Sequence, residues 1–186
     1  VAIYREHLTS CLFILRMMYD MGYHIVSLRS KHIDAIHSLQ LDSYRPEFHE
    51  EKSTFLHIVC GSPDLCFVAF EDHETETPIG YILAHSCKVG IIPALNTVPP
   101  LDANSRECWV HDLCVKDSAR GAGIGAALCR TLVSAARWGC YKTIRGVSVQ
   151  GTEEFWKKQG FEPMEAHKDG NIGYSGGTPI ILSLMH

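Results

Sequence analysis

Gly121, Gly123 and Gly125 stand at alternate positions between an apolar run at 108–115 (CWVHDLCV) and a stretch of helical period at 125–138. No other feature constrains the chain as much as this strand, glycine turn and helix in succession. Glycine there permits positive φ and lets a ligand approach the backbone closely. The amides of a helix's first turn have no partner inside the helix, and the helix dipole favours an anion in front of them. Arg120 adds a fixed cationic fork beside them. The segment therefore predicts a phosphate or pyrophosphate held by backbone amides.

Two common phosphate-binding motifs do not fit. A P-loop needs Gly-Lys-Ser/Thr after four spacers, whereas Gly125 is followed by Ala126 and Ala127. A dinucleotide fingerprint fits on letters alone, because Gly121-x-Gly123-x-x-Ala126 satisfies G-x-G-x-x-G/A. Its context fails. Five residues separate Val115 from the first glycine, and the acidic ribose ligand expected about 20 residues on falls near Gly146, where no acid stands.

The rest of the chain alternates strands and helices. Apolar strands are expected at 24–29, 65–70, 78–85, 143–149 and 179–184, and helices after Ser30, after Pro46 and at 153–159. Residues 86–107 show no regular period, and prolines 93, 99 and 100 forbid a helix there; such a long connection is a lid, a binding loop or a surface insertion. The expected architecture is one mixed α/β domain over 23–186. Before it, Leu8, Leu12, Leu15 and Met18 or Tyr19 follow helical spacing, so residues 1–22 read as a helical extension. Its apolar run, 11–15, is far short of the roughly 20 residues that span a membrane. A formal charge of −4 argues against a nucleic-acid partner.

The eight cysteines form no CxxC pair, and Cys66, Cys108, Cys114 and Cys129 sit inside apolar runs. They read as reduced, structural thiols, which places the chain in the cytoplasm. The eleven histidines show no zinc-ligand spacing, so no metal is expected.

Arg120-Gly-Ala-Gly123-Ile-Gly125 resembles the R/Q-x-x-G-x-G/A signature of the GCN5-related N-acetyltransferase (GNAT) superfamily. His111-Asp-Leu-Cys-Val115 looks like that family's central strand, and Phe155-Trp-Lys-Lys-Gln-Gly-Phe161 like its later F-Y-x-x-x-G-F element. The resemblance covers residues 23–186. It implies a mostly antiparallel sheet flanked by helices and splayed between its fourth and fifth strands, with acetyl-CoA as co-substrate lying in the wedge. Pantetheine would pair with the backbone of Leu113, Cys114 and Val115. The pyrophosphate would rest on the backbone of Arg120, Gly121, Ala122, Gly123, Ile124, Gly125 and Ala126. Gln150 stands where relatives often place a cofactor-touching Asn, and Phe155 would pack near the thiol end. The acceptor would be an amine, on a small molecule or a protein, and relatives often form homodimers. A catalytically silent acyl-CoA-binding module is the alternative reading.

An amine attacking a thioester must first lose its proton, because a lysine-like amine has a pKa of about 10.4. His111 is the expected base: an imidazole titrates near neutrality, and the residue matches the H-x-L-x-V pattern of arylalkylamine N-acetyltransferases, which it resembles. Strand alternation sends Asp112 to the opposite face, in a structural role, unless a bulge intervenes. The tetrahedral oxyanion needs a placed donor, for which a backbone amide around 113–115 is expected. The tyrosine that relatives use as general acid is Trp156 here, leaving Tyr141, Tyr174, another donor or unassisted departure of the thiolate. Glu47, Glu50 and Glu51 read most simply as a solvated helix start, and otherwise as partners for a cationic amine.

Overall fold

In the computed structural model, residues 22–95, 97–164 and 177–184 are described. The helical extension expected at the N-terminus, apart from Gly22, lies outside the described residues, as does Tyr174. The strands are β1 (Tyr23–Ser27), β2 (Phe67–Glu71), β3 (Pro78–Cys87), β4 (Glu107–Val115), β5 (Thr143–Ser148), β6 (Glu162–Pro163) and β7 (Thr178–Ser183). The helices are α1 (Ile33–Ser43), α2 (Lys52–Gly61), α3 (Ile124–Trp138) and α4 (Glu153–Lys158).

Side-chain alternation along the strands creates two apolar faces, and each takes its own helices. Val68, Phe70, Tyr81 and Leu83 face Ile36, Leu39, Phe55 and Ile58 of α1 and α2. Ala69, Ile82 and Ala84 face Ile124, Leu128 and Leu132 of α3. β3 is therefore buried along its whole length. The sheet order is β1-β2-β3-β4-β5-β7-β6, and among the described residues β4–β5 is its one parallel pair. A parallel neighbour needs a crossover, which α3 supplies. β4 and β5 pair only over Glu107–Trp109 and Thr143–Arg145 and then diverge, so the expected splay between the fourth and fifth strands is present.

β4 carries a bulge. Leu83 pairs with Asp112 while Ala84 pairs with Val110, which leaves His111 as the extra residue. Before it, Cys108 and Val110 pack toward α3; after it, Leu113 and Val115 do. The bulge thus puts His111 and Asp112 together on the α1–α2 side, which corrects the simple alternation expected for Asp112.

Other boundaries differ in detail. The expected helix after Pro46 begins later: Pro46–Phe48 is a 3-10 turn that seats Phe48 in the core, and α2 starts at Lys52. Residues 49–51 between them run extended, which lets Glu50 reach the sheet. The 88–106 connection is tethered to α2, with His57 Nε2 at 3.1 Å from the Pro99 carbonyl oxygen and Leu101 packed against Gly61.

The seven described cysteines are free thiols, five of them buried. Burial pushes Cys66, Cys114 and Cys129 up to about 12 and Cys87 up to about 11, and raises Cys108 as well. The thiolate is the reactive form. In native protein at pH 8, an aqueous disulfide reagent is therefore expected to label Cys60 and Cys140 quickly and these five only after denaturation. Peptide mapping checks this, and fast native labelling at Cys66 or Cys108 contradicts it.

Candidate active site

Where β4 and β5 part, a cleft of about 550 Å³ opens. One wall is residues 110–115 of β4; the other is Gly146, Val147, Val149 and Gln150. The start of α3 lines it at one end, and Gln40, Tyr44, Phe48 and Glu50 close it from the α1–α2 side, with Leu95 from the long connection.

At the α3 end, a 3-10 turn (Asp117–Ala119) delivers Arg120, whose Nε donates to the Val115 carbonyl at 3.3 Å and whose guanidinium meets Asp117 at 2.8 Å in solvent. Gly121 and Gly123 adopt φ of 85° and 82°, a left-handed conformation costly for residues with a Cβ. Gly123 caps α3, and the first amide bonded back within the helix belongs to Ala127. No atom lies within 4 Å of the position a Cβ would take at Gly121 or Gly123, so there is room for a ligand in front of this backbone. Of the sequence-expected cofactor residues, Leu113, Cys114, Val115, Arg120, Gly121, Gly123, Gly125, Ala126, Gln150 and Phe155 all line the cleft. Ala122 does not, and the Ile124 side chain turns into the core against Gly80. Gln150 itself holds a left-handed φ of 56° just beyond β5.

At the other end lies a buried polar network. His111 Nε2 meets Glu50 Oε2 at 2.6 Å, with side chains 0% and 2% exposed. The Glu50 amide donates to Gln40 Oε1 at 3.0 Å, and Gln40 Nε2 donates to Asp112 Oδ2 at 3.0 Å. The Tyr81 hydroxyl donates to the same carboxylate at 2.5 Å. The Tyr44 hydroxyl lies 2.7 Å from Asp112 Oδ1 and 2.8 Å from the Leu113 carbonyl oxygen. Burial lifts Asp112 above the usual carboxylate range, while the two tyrosine hydroxyls pull it back down. Burial and the Asp112 charge hold both phenols well above their ordinary value. Asp112 thus ties α1 and β3 to the bulge, next to the 113–115 backbone.

Glu50 departs from the expected solvated helix start. Glu47 pairs with Arg45 in solvent and Glu51 is exposed, but Glu50 is buried against His111. Gln40 had a legible signal, a polar residue at an inward position of a helix whose Ile33 and Ile36 are core. The pairing of Glu50 with His111, 61 residues apart, had none. Trp156 packs edge-on to Phe155 and Phe161 at ring separations of 5.2 and 5.1 Å and lines the cleft. Tyr141 packs at Gly139, away from the cleft-lining residues.

The model of the acetyltransferase (GNAT) family matches residues 33–161, more than two thirds of the 186-residue chain. The chain belongs to that family. It is accordingly an acetyltransferase that uses acetyl-CoA as co-substrate, with its acceptor unidentified. No curated protein sequence matches it. Among solved structures, Ard1 from Thermoplasma volcanium is similar at 16% identity and a TM-score of 0.63, over 89% of this chain and 99% of that one. The ribosomal-protein-S18-alanine N-acetyltransferase from Escherichia coli is similar at 12% identity and TM-score 0.60, over 88% and 95%. Arabidopsis thaliana Naa50, in complex with the bisubstrate analogue CoA-Ac-MVNAL, is similar at 16% identity and TM-score 0.65, over 87% and 99%. At such identities the likeness is one of fold. Among the described residues, no helix of the acetyltransferase is long and apolar enough to cross a membrane.

Proposed function

We propose that this acetyltransferase moves the acetyl group of acetyl-CoA directly to a cationic primary amine, with Glu50 and His111 acting as one unit that takes the amine's proton. The observation that carries this is the 2.6 Å contact between the two side chains at the mouth of the splay. A carboxylate lining the cleft attracts an ammonium, and the imidazole against it offers a second nitrogen base to share the proton. The amine nitrogen then attacks the thioester carbon, the C–N bond forms, and the C–S bond breaks with its electrons leaving on sulfur. A thiol of ordinary pKa, about 8.5, is a tolerable leaving group. The reaction therefore proceeds without a tyrosine at position 156.

The cofactor end is the loop 120–126 with Gln150 and Phe155, and the strand backbone at 113–115 receives pantetheine. The free buried thiols support a reducing compartment, the cytoplasm. The decisive experiment follows thiol release from acetyl-CoA across peptide N-termini, polyamines, arylalkylamines and aminoglycosides. Release dependent on one amine class is expected. Tight coenzyme A binding with no turnover on any amine would make the protein a silent acyl-CoA binder instead.

A further inference from the structure

Residues 49–51 belong to no helix or strand, yet they carry the carboxylate that meets His111. Such a segment needs partners from elsewhere to hold one position, because every residue in it brings a backbone donor and acceptor. At Glu50 two side chains of α1 supply them. Gln40 Oε1 accepts the Glu50 N–H at 3.0 Å, and His37 Nε2 lies 2.9 Å from the Glu50 carbonyl oxygen. A carbonyl only accepts, so that nitrogen of His37 donates. Residues three apart on a helix share one face, so a single turn of α1 grips Glu50 by both its N–H and its C=O. The His37 ring is itself set edge-on against Phe55 of α2, at a ring separation of 5.9 Å. Nearer α1, His49 Nε2 donates to the Tyr44 carbonyl oxygen at 2.9 Å, which pins the start of the same connection.

Gln40 also reaches the other side of the contact. Its Nε2 donates to Asp112 Oδ2 at 3.0 Å, and Asp112 follows His111 directly in β4. The contacts close a ring. It runs from the Glu50 carboxylate to the His111 imidazole at 2.6 Å, one residue along β4 to Asp112, across to Gln40, and back to the Glu50 backbone. Both partners of the 2.6 Å contact are thereby tied to one amide group. An amide side chain suits the place because it accepts from a peptide N–H and donates to a carboxylate at once. A carboxylate there would lack the donor, and an apolar side chain would lack both. Gln40, Glu50 and Asp112 are all buried, so a partner lost from the ring leaves a polar group unsatisfied.

We propose that Gln40 is a positioning residue: anchored on Asp112, it sets the distance and angle at which Glu50 meets His111, and His37 completes the hold on Glu50. Its effect on turnover rests on the reading of Glu50 and His111 as the unit that takes the amine's proton. The hold itself does not depend on that reading.

The test uses the full chain as wild type, Gln40→Met and His37→Phe. Methionine keeps the length of glutamine and phenylalanine keeps a ring against Phe55, while each removes the polar contact. In the wild type, hydrogen exchange read by NMR is expected to find the Glu50 amide as slow as amides in the middle of α1, although its segment is neither helix nor strand. The proton in the short His111–Glu50 contact is expected as a far-downfield resonance. In Gln40→Met the Glu50 amide should exchange about tenfold faster or more, and the downfield resonance should move upfield. His37→Phe should shift that resonance in the same direction by less. In Gln40→Met, kcat/KM for a high-pKa amine should fall about 10- to 100-fold, the scale of a misplaced reacting group. A low-pKa amine and coenzyme A affinity should change little, whereas a general loss of stability would slow both amines alike. Fast exchange of the Glu50 amide in the wild type overturns the proposal and needs no variant to fold. An unmoved resonance in folded Gln40→Met overturns it as well. If exchange and resonance move as expected while the ratio of the two amines stays at its wild-type value, the hold stands and the pair is not the acceptor of the amine's proton.

Discussion

His111→Ala is expected to lower kcat/KM for a high-pKa amine by about 10² to 10⁴, the usual contribution of a positioned general base. Coenzyme A affinity should stay near wild type, because the 120–126 loop lies at the other end of the cleft. The same substitution leaves the enclosed Glu50 carboxylate without its imidazole, and breaking a buried pair destabilises by about 3–5 kcal/mol. Turnover must therefore be compared under conditions where circular dichroism shows the variant folded. Loss of stability alone would slow every substrate equally. A missing base spares an acceptor of low pKa, which arrives already deprotonated. The diagnostic quantity is thus the ratio of rates for high- and low-pKa amines, measured by thiol release. A variant that keeps the wild-type ratio reduces His111 to a packing residue.

Gly123→Val should raise the dissociation constant for coenzyme A about 100-fold or more. Gly123 caps α3 at φ 82°, and valine strongly disfavours that conformation. Its side chain would also occupy the open space in front of the turn. A pyrophosphate that loses two amide contacts forfeits about 1.5–3 kcal/mol for each, since these bonds are to a charged group. No protein atom lies within 4 Å of the new Cβ, so the fold is expected to survive with a modest loss of stability. Calorimetric titration of the folded variant measures the effect. Unchanged affinity would remove the pyrophosphate from this turn.

The strand, glycine turn and helix start at one end of the cleft were legible in the linear sequence because their determinants are local. A strand, a turn that needs left-handed glycines and a helix start follow one another within 108–138, and neighbouring backbone alone presents the amides. Apolar runs likewise placed the main strands. The polar network at the other end depended on contacts between distant segments. Whether His111 and Asp112 share a face depends on one slipped residue in the pairing of β4 with β3, and cross-strand register is not written in either strand by itself. Glu50 looked like an exposed acid because its immediate neighbours are charged; only the extended path from Phe48 to Lys52 carries it under the sheet to His111. The Asp112 node draws on α1, β3 and β4 at once. Local chemistry in the chain determined where the left-handed glycine turn meets a helix start; burial and strand register, which exist only in the folded molecule, decided which side chains meet at His111.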